Sequence, residues 1–228
     1  TFGEAPRLDL LLVLDNSGGM ADKHRLLARA LPDLFARLLA VNCEDANGDR
    51  TLSEDGDCPE GFGATFTHFT DVHVGVITTS LGGHGGIACS PAEGSTYRPE
   101  KDDRGELVAP LRGVPTEGDQ GFVTWQGHPW RNGTRDLAAL TADVVEIVEA
   151  VGEMGCGYEA PLEAMYRFLV DPMPPLQVLN DGHFSYVDGL NTTLLEQRAR
   201  FLRPDSAVGI VLLTDEDDCS VRDDGPGF

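Results

Sequence analysis

The 228-residue chain carries 17 Lys and Arg against 38 Asp and Glu, a net charge of −21 with His neutral. A field of that sign repels a phosphate backbone and argues against nucleic acid as a partner, while leaving two readings open: plain solubility, and a specific affinity for cations. The length suits one α/β domain with long loops rather than two large domains, and no run of about 18 apolar residues is present to span a membrane.

The opening Thr1-Phe2-Gly3-Glu4-Ala5-Pro6 reads as a linker leading into a strand, as expected of a piece of a longer protein. From Leu8 to Asp15 nearly every residue is Leu or Val, without alternation, which predicts a strand buried on both faces. Between Asp22 and Val41, apolar residues at Leu26, Leu27, Ala30, Leu31, Leu34, Phe35, Leu38 and Leu39 fall on one helical face, with Pro32 as a point for a kink or restart. Residues 42–68 form a first, acidic insertion. Val72 to Thr79, with β-branched Val72, Val74, Val76 and Ile77, predicts a second strand.

Residues 81–135 are rich in Gly, Pro and charge, and read mostly as a long insertion with one short strand at Phe122 to Trp125. Helical spacing returns at Leu137, Leu140, Val144, Ile147, Val148 and Val151. It appears again through Leu162, Met165, Tyr166 and Leu169 before Asp171-Pro172, and from Leu194 to Leu202. Ala207 to Thr214 is a final apolar strand. Strands alternating with helices predict a single α/β domain over 1–228, with a doubly wound, mostly parallel sheet flanked by helices in the Rossmann-like manner.

Five cysteines, Cys43, Cys58, Cys89, Cys156 and Cys219, are too widely spaced for a metal knuckle and predict disulfides with one thiol left over. Cys43 and Cys58 bracket a polar segment whose closure is worth roughly 3 kcal/mol. Disulfides point to a secreted, periplasmic or cell-surface location.

In an open parallel sheet the ligand site forms at the carboxyl ends of the strands. Asp15-Asn16-Ser17-Gly18-Gly19-Met20 leaves the first strand there, and Asp215-Glu216-Asp217-Asp218 leaves the last. Carboxylates delivered side by side repel unless a cation neutralises them, and oxygen donors suit a hard divalent ion. Taken singly, each motif also has a plain structural reading: Asp15 and Ser17 as caps of the first helix, and the acidic run as a solvated loop.

The composite resembles the von Willebrand factor A family, whose metal-ion-dependent adhesion site reads Asp-x-Ser-x-Ser after the first strand. This chain has Asp15-x-Ser17-x-Gly19, and Leu213-Thr214-Asp215 matches the family's fourth-strand ending. The resemblance runs through strand, helix, second strand, paired helices and fourth strand. It implies that strands following the fourth are absent or lie outside this sequence. It also implies a Mg²⁺ or Ca²⁺ ion on Asp15, Ser17 and Asp215, with Glu159 in the place of the family's Thr. Gly19 removes one hydroxyl ligand, and a carboxylate at Glu159 favours Ca²⁺ or closes the usual open position. With Gly155-Cys156-Gly157-Tyr158-Glu159 and Thr214-Asp215-Glu216-Asp217-Asp218-Cys219-Ser220, the chain looks like the A-domain proteins that some Gram-negative bacteria secrete or carry as surface lipoproteins.

A second cation loop is suggested by oxygen side chains at alternate positions, Asp45, Asn47, Asp49 and Thr51, with Asp55 or Asp57 in place of a bidentate Glu. Arg50 and Gly56 depart from the calcium-loop pattern, and a metal-free acidic loop closed by a disulfide fits as well. His84 and His128 lack partners for zinc, and no nucleophile elbow or phosphate loop occurs. Trp125 and Trp130 suit either a contact surface or the insertion's own small core.

The expectation is a non-enzymatic, metal-dependent adhesion module. Its cation takes an acidic residue of a protein partner, and the 81–135 insertion sets specificity. Its rivals are a calcium-stiffened extracellular scaffold and a metal-assisted hydrolase using Glu159, Glu216 or Asp217 as base.

Overall fold

The computed structural model describes residues 7–53, 57–66, 68–86, 88–89, 92–93, 96–126, 136–223 and 225–226. The elements, in chain order, begin with β1 (Arg7–Leu14), α1 (Ala21–Leu39), β2 (Val41–Asp45), β3 (Arg50–Ser53), β4 (Phe62–Phe66) and β5 (Asp71–Thr78). They continue with β6 (Ala92–Glu93), β7 (Thr96–Tyr97), α2 (Val108–Arg112), β8 (Val123–Gln126), α3 (Leu137–Ala150) and α4 (Pro161–Leu169). The last are β9 (Pro175–Asn180), β10 (Phe184–Leu190), α5 (Thr192–Phe201), β11 (Ala207–Leu213) and β12 (Gly225–Pro226).

The architecture is mixed α/β. A four-stranded sheet runs β11-β1-β5-β8. β1 is parallel to both neighbours, with Leu14 level with Leu213 on one side and Thr78 on the other. β8 runs antiparallel to β5, so the sheet is mixed rather than uniformly parallel. The near-continuous apolar run of β1 follows from burial on both faces, and β5 is buried along its whole length as well. Leu8, Leu10, Leu12 and Leu14 face a core completed by Leu31 and Phe35 of α1 and by Leu140, Val144 and Val148 of α3. Leu11 and Val13 face a second core with Ala164 and Phe168 of α4 and Leu194 and Phe201 of α5.

The helix expected to kink at Pro32 is one uninterrupted element with the proline inside it. Its buried face of His24, Leu31, Phe35 and Leu39 carries it through the lost backbone hydrogen bond.

Both insertions contain regular structure. Residues 42–68 hold most of a three-stranded antiparallel sheet, β3-β2-β4, which the Cys43–Cys58 disulfide ties down. The 81–135 stretch supplies α2 and the central-sheet strand β8, with Phe122 and Trp125 buried. The β9–β10 hairpin follows α4 and pairs with β12. A second disulfide joins Cys89 to Cys156, and Cys219 is the free thiol. Among the described residues no helix is long and apolar enough to cross a membrane.

At the amino ends of the parallel strands, Asp9 sits fully buried within an apolar strand. It is sustained by Arg203, whose Nε donates to Asp9 Oδ1 at 2.9 Å and whose backbone N–H donates to Oδ2 at 2.8 Å. The same guanidinium pairs with Asp71, so one cation locks β1, β5 and the segment entering β11 at the end opposite the acidic loops.

Candidate metal centre

Because β11, β1 and β5 end level, their trailing loops meet on one edge of the sheet. Asp15 N–H continues the ladder to Leu213 O at 2.9 Å, and Thr79 N–H reaches Leu14 O at 3.1 Å. The 155–160 segment closes over this edge. Gly155 N–H donates to Asn16 O at 2.6 Å, Ala160 N–H to Thr79 O at 3.0 Å, and Cys219 N–H to Glu159 O at 2.7 Å. Ser80 Oγ bridges the layers, donating to Asn16 Oδ1 at 2.7 Å and accepting from Cys156 N–H at 2.8 Å.

Asp15 is fully buried. Its Oδ1 accepts from Ser17 N–H at 2.7 Å and its Oδ2 from the Thr214 hydroxyl at 2.8 Å. Helix α1 starts only at Ala21, after Met20 and without a side-chain cap, so Asp15 and Ser17 are not capping residues. Buried His24 fixes the loop from below through an Nε2 contact of 2.7 Å to Asp15 O.

Glu159 is 2% exposed. Its carboxyl is pushed above the ordinary glutamate range, first by burial and then by the neighbouring Asp15 and Glu216 carboxylates, against the opposing pull of the Ser17 hydroxyl. Among the described residues neither Asp15 nor Glu159 has an ion-pair partner. Two buried carboxylates near one another, supported only by neutral donors, form a group whose charge is unmet from within the protein.

Asp215 follows Thr214 on the same edge but points outward. Its side chain is 40% exposed and its Oδ2 lies 2.7 Å from Lys23 Nζ, which also donates to Gly19 O at 2.9 Å. The first turn of α1 therefore supplies a cation of its own to the carboxylate that sequence reasoning placed on the metal. Thr214, in contact with Asp15, belongs to the strand-ending motif and not to the ligand set expected from the sequence. Its hydroxyl one position before Asp215 was the available signal.

Backbone geometry explains the missing second serine. Gly19 has φ of +104°, a left-handed conformation that a side chain strains. Gly155 is constrained differently: a Cβ there would lie 2.3 Å from Asn16 Oδ1 and 2.6 Å from Asn16 O. The close crossing of these two loops requires glycine.

Asp45, Asn47 and Asp49 form the turn between β2 and β3. Asp45 Oδ1 accepts from Asn47 N–H at 2.9 Å and Asp49 N–H at 2.8 Å, and Oδ2 accepts from the Asn47 amide at 3.0 Å. These donors, that of Asp49 foremost, hold the Asp45 carboxyl below its ordinary range and account for it without a cation. Thr51 lies in β3 opposite Cys43, Asp57 is exposed, and Asp55 lies outside the described residues, as do His128 and Trp130.

Among the described residues, no three His, Cys, Asp or Glu side chains cluster closely enough to hold a metal by themselves. A cation on this edge would draw on the Ser17 hydroxyl oxygen as well, beside Asp15 and Glu159. Comparison with protein-family models, curated proteins and solved structures finds no match for the chain.

Proposed function

We propose that the chain is a metal-dependent binding module of the von Willebrand factor A type, in which Asp15, Ser17 and Glu159 hold a divalent cation, with Thr214 positioning Asp15. The observation that carries this reading is the burial of Asp15 and Glu159 together at the edge where the level parallel strands end, without an ion-pair partner among the described residues. Oxygen donors of carboxylate and hydroxyl type suit Mg²⁺ or Ca²⁺, and two carboxylates favour Ca²⁺. Asp215 joins the set when the cation displaces Lys23 from it.

Once bound, the cation supplies a positive charge with a coordination position for an acidic residue of a protein partner. The chain's own part is to aim Asp15 through Ser17 N–H and Thr214, to keep Glu159 dry, and to leave Glu216 and Asp217 exposed around the opening. The two disulfides suit a secreted, periplasmic or cell-surface protein.

Calorimetric titration of chelated protein with Ca²⁺ and Mg²⁺ tests the reading. One equivalent should bind to the native chain and none to Asp15→Asn. Undiminished binding by Asp15→Asn would refute it.

A further inference from the structure

The two edges of the central sheet differ in kind. β8 has four residues, with Thr124 and Gln126 at alternate positions, the short and polar form that protects an edge. β11 has seven, all Ala, Val, Gly, Ile or Leu, with no charge, no proline and no break in its register against β1. Among the described residues no strand pairs with its outer side. Val208, Ile210 and Leu212 are all exposed.

The ladder shows which backbone groups are left open. Leu213 O accepts from Asp15 N–H, so Leu213 faces β1. The N–H and C=O of one strand residue point to the same side, and the side alternates along the strand. Gly209 and Val211 therefore face β1 as well, while the N–H and C=O of Val208, Ile210 and Leu212 face outward. The side chains of these same three residues share one face of the sheet. Donors, acceptors and apolar side chains thus stand in one row, the template for a further strand.

That row is its own complement. In an antiparallel pairing about a two-fold axis at Ile210, Val208 of one copy lies opposite Leu212 of the partner subunit, and Ile210 opposite Ile210 of the partner subunit. All of these are hydrogen-bonded pairs, so every outward group of the three residues is matched. The charges at the ends permit the approach. Asp205, before the strand, is paired with Arg7, and Asp215, after it, with Lys23. The two-fold sets one neutral ion pair beside the other, with a cation at each end for the facing carboxylate.

We propose that β11 is a dimer interface, through which two copies of this chain join antiparallel into one continuous sheet. The two strand-end sites then open in opposite directions.

Sedimentation velocity of the native chain from about 1 µM to about 500 µM should show its mass rise from 24.5 kDa to twice that. The shared negative charge opposes the encounter, so added salt should tighten the dimer. Ile210→Lys sets two ammonium groups face to face at the axis and should weaken association at least about tenfold. Leu26→Lys, at an exposed apolar position of α1, should leave it unchanged. Amide exchange followed by NMR needs no variant: Val208, Ile210 and Leu212 should slow as concentration rises, whereas Gly209 and Val211, bonded to β1 in either state, should not. A chain that stays at 24.5 kDa throughout leaves the edge to a strand from another source and overturns the proposal. A dimer indifferent to Ile210→Lys, or unchanged exchange at Val208, Ile210 and Leu212, would do the same.

Discussion

The Thr214 hydroxyl donates to Asp15 Oδ2 at 2.8 Å across 199 positions of chain. It joins the trailing ends of the two adjacent strands on which the account of the site depends. Removing that donor leaves a buried carboxylate oxygen short of a partner, a loss of about 2 kcal/mol for a charged acceptor. Urea denaturation of chelated Thr214→Ala should show this decrease, and Thr214→Ser should recover most of it.

Glu159 should behave oppositely. Its folded pKa is raised, so above the ordinary glutamate value the unfolded chain ionises more readily than the folded one. Cation-free stability therefore falls as the pH climbs from the ordinary value through the folded one, and the loss persists above it. Glu159→Gln should remove that fall and, near neutral pH, raise the midpoint of chelated protein. It should also lose the stabilisation that added Ca²⁺ gives the native chain. Equal midpoints with and without the carboxylate would speak against a site strained by unmet charge.

His73 provides a pH dependence at the opposite end of the sheet. Burial first, and Arg203 nearby, hold its pKa below the ordinary histidine value against the pull of Phe201 O, which its Nδ1 meets at 2.8 Å. The unfolded chain takes up a proton near pH 6.5 while the folded one resists. Stability should thus be complete above that value and decline as the pH falls through it towards the depressed folded pKa. His73→Asn, which keeps a donor near the Nδ1 position, should be less stable overall but flatter across that window, as read from denaturation midpoints at successive pH values.

Arg112 meets Asp103, whose side chain is fully buried, at 2.9 Å. Arg112→Met removes that carboxylate's ion-pair partner, leaving the Thr78 hydroxyl donating to it, and should cost about 3–5 kcal/mol. Adding Asp103→Asn to the same chain should restore part of the loss, measured as the coupling in a double-mutant cycle.

The elements that sequence reading locates are those with strong local patterns. β1 and β11 are near-continuous apolar runs, and α1 and α3 show their buried faces in the spacing of Leu, Val and Phe. The Cys43–Cys58 disulfide was also legible, because both cysteines flank one short polar segment. The β9–β10 hairpin was not: most of its residues are exposed on both faces, so no alternation marks it.

At the site, Asp15 and Ser17 could be singled out because a buried strand delivers them. The pairing of Asp215 with Lys23 was hidden, since it depends on how the start of α1 turns towards β11. The pairing of Asp9 with Arg203 is likewise a contact across 194 positions that no local pattern records. The His84 to Asp223 contact spans 139 positions, and His84 by itself gave no sign of a partner.

The most direct measurement of the central claim is anomalous diffraction from crystals grown with Mn²⁺ in place of the native cation. The account predicts a peak within coordination distance, about 2.1–2.5 Å, of carboxylate oxygens of Asp15 or Glu159, with the Ser17 hydroxyl in the same shell. A fully occupied ion found only at the 45–57 turn, or no ion near Asp15 at saturating Mn²⁺, would contradict it.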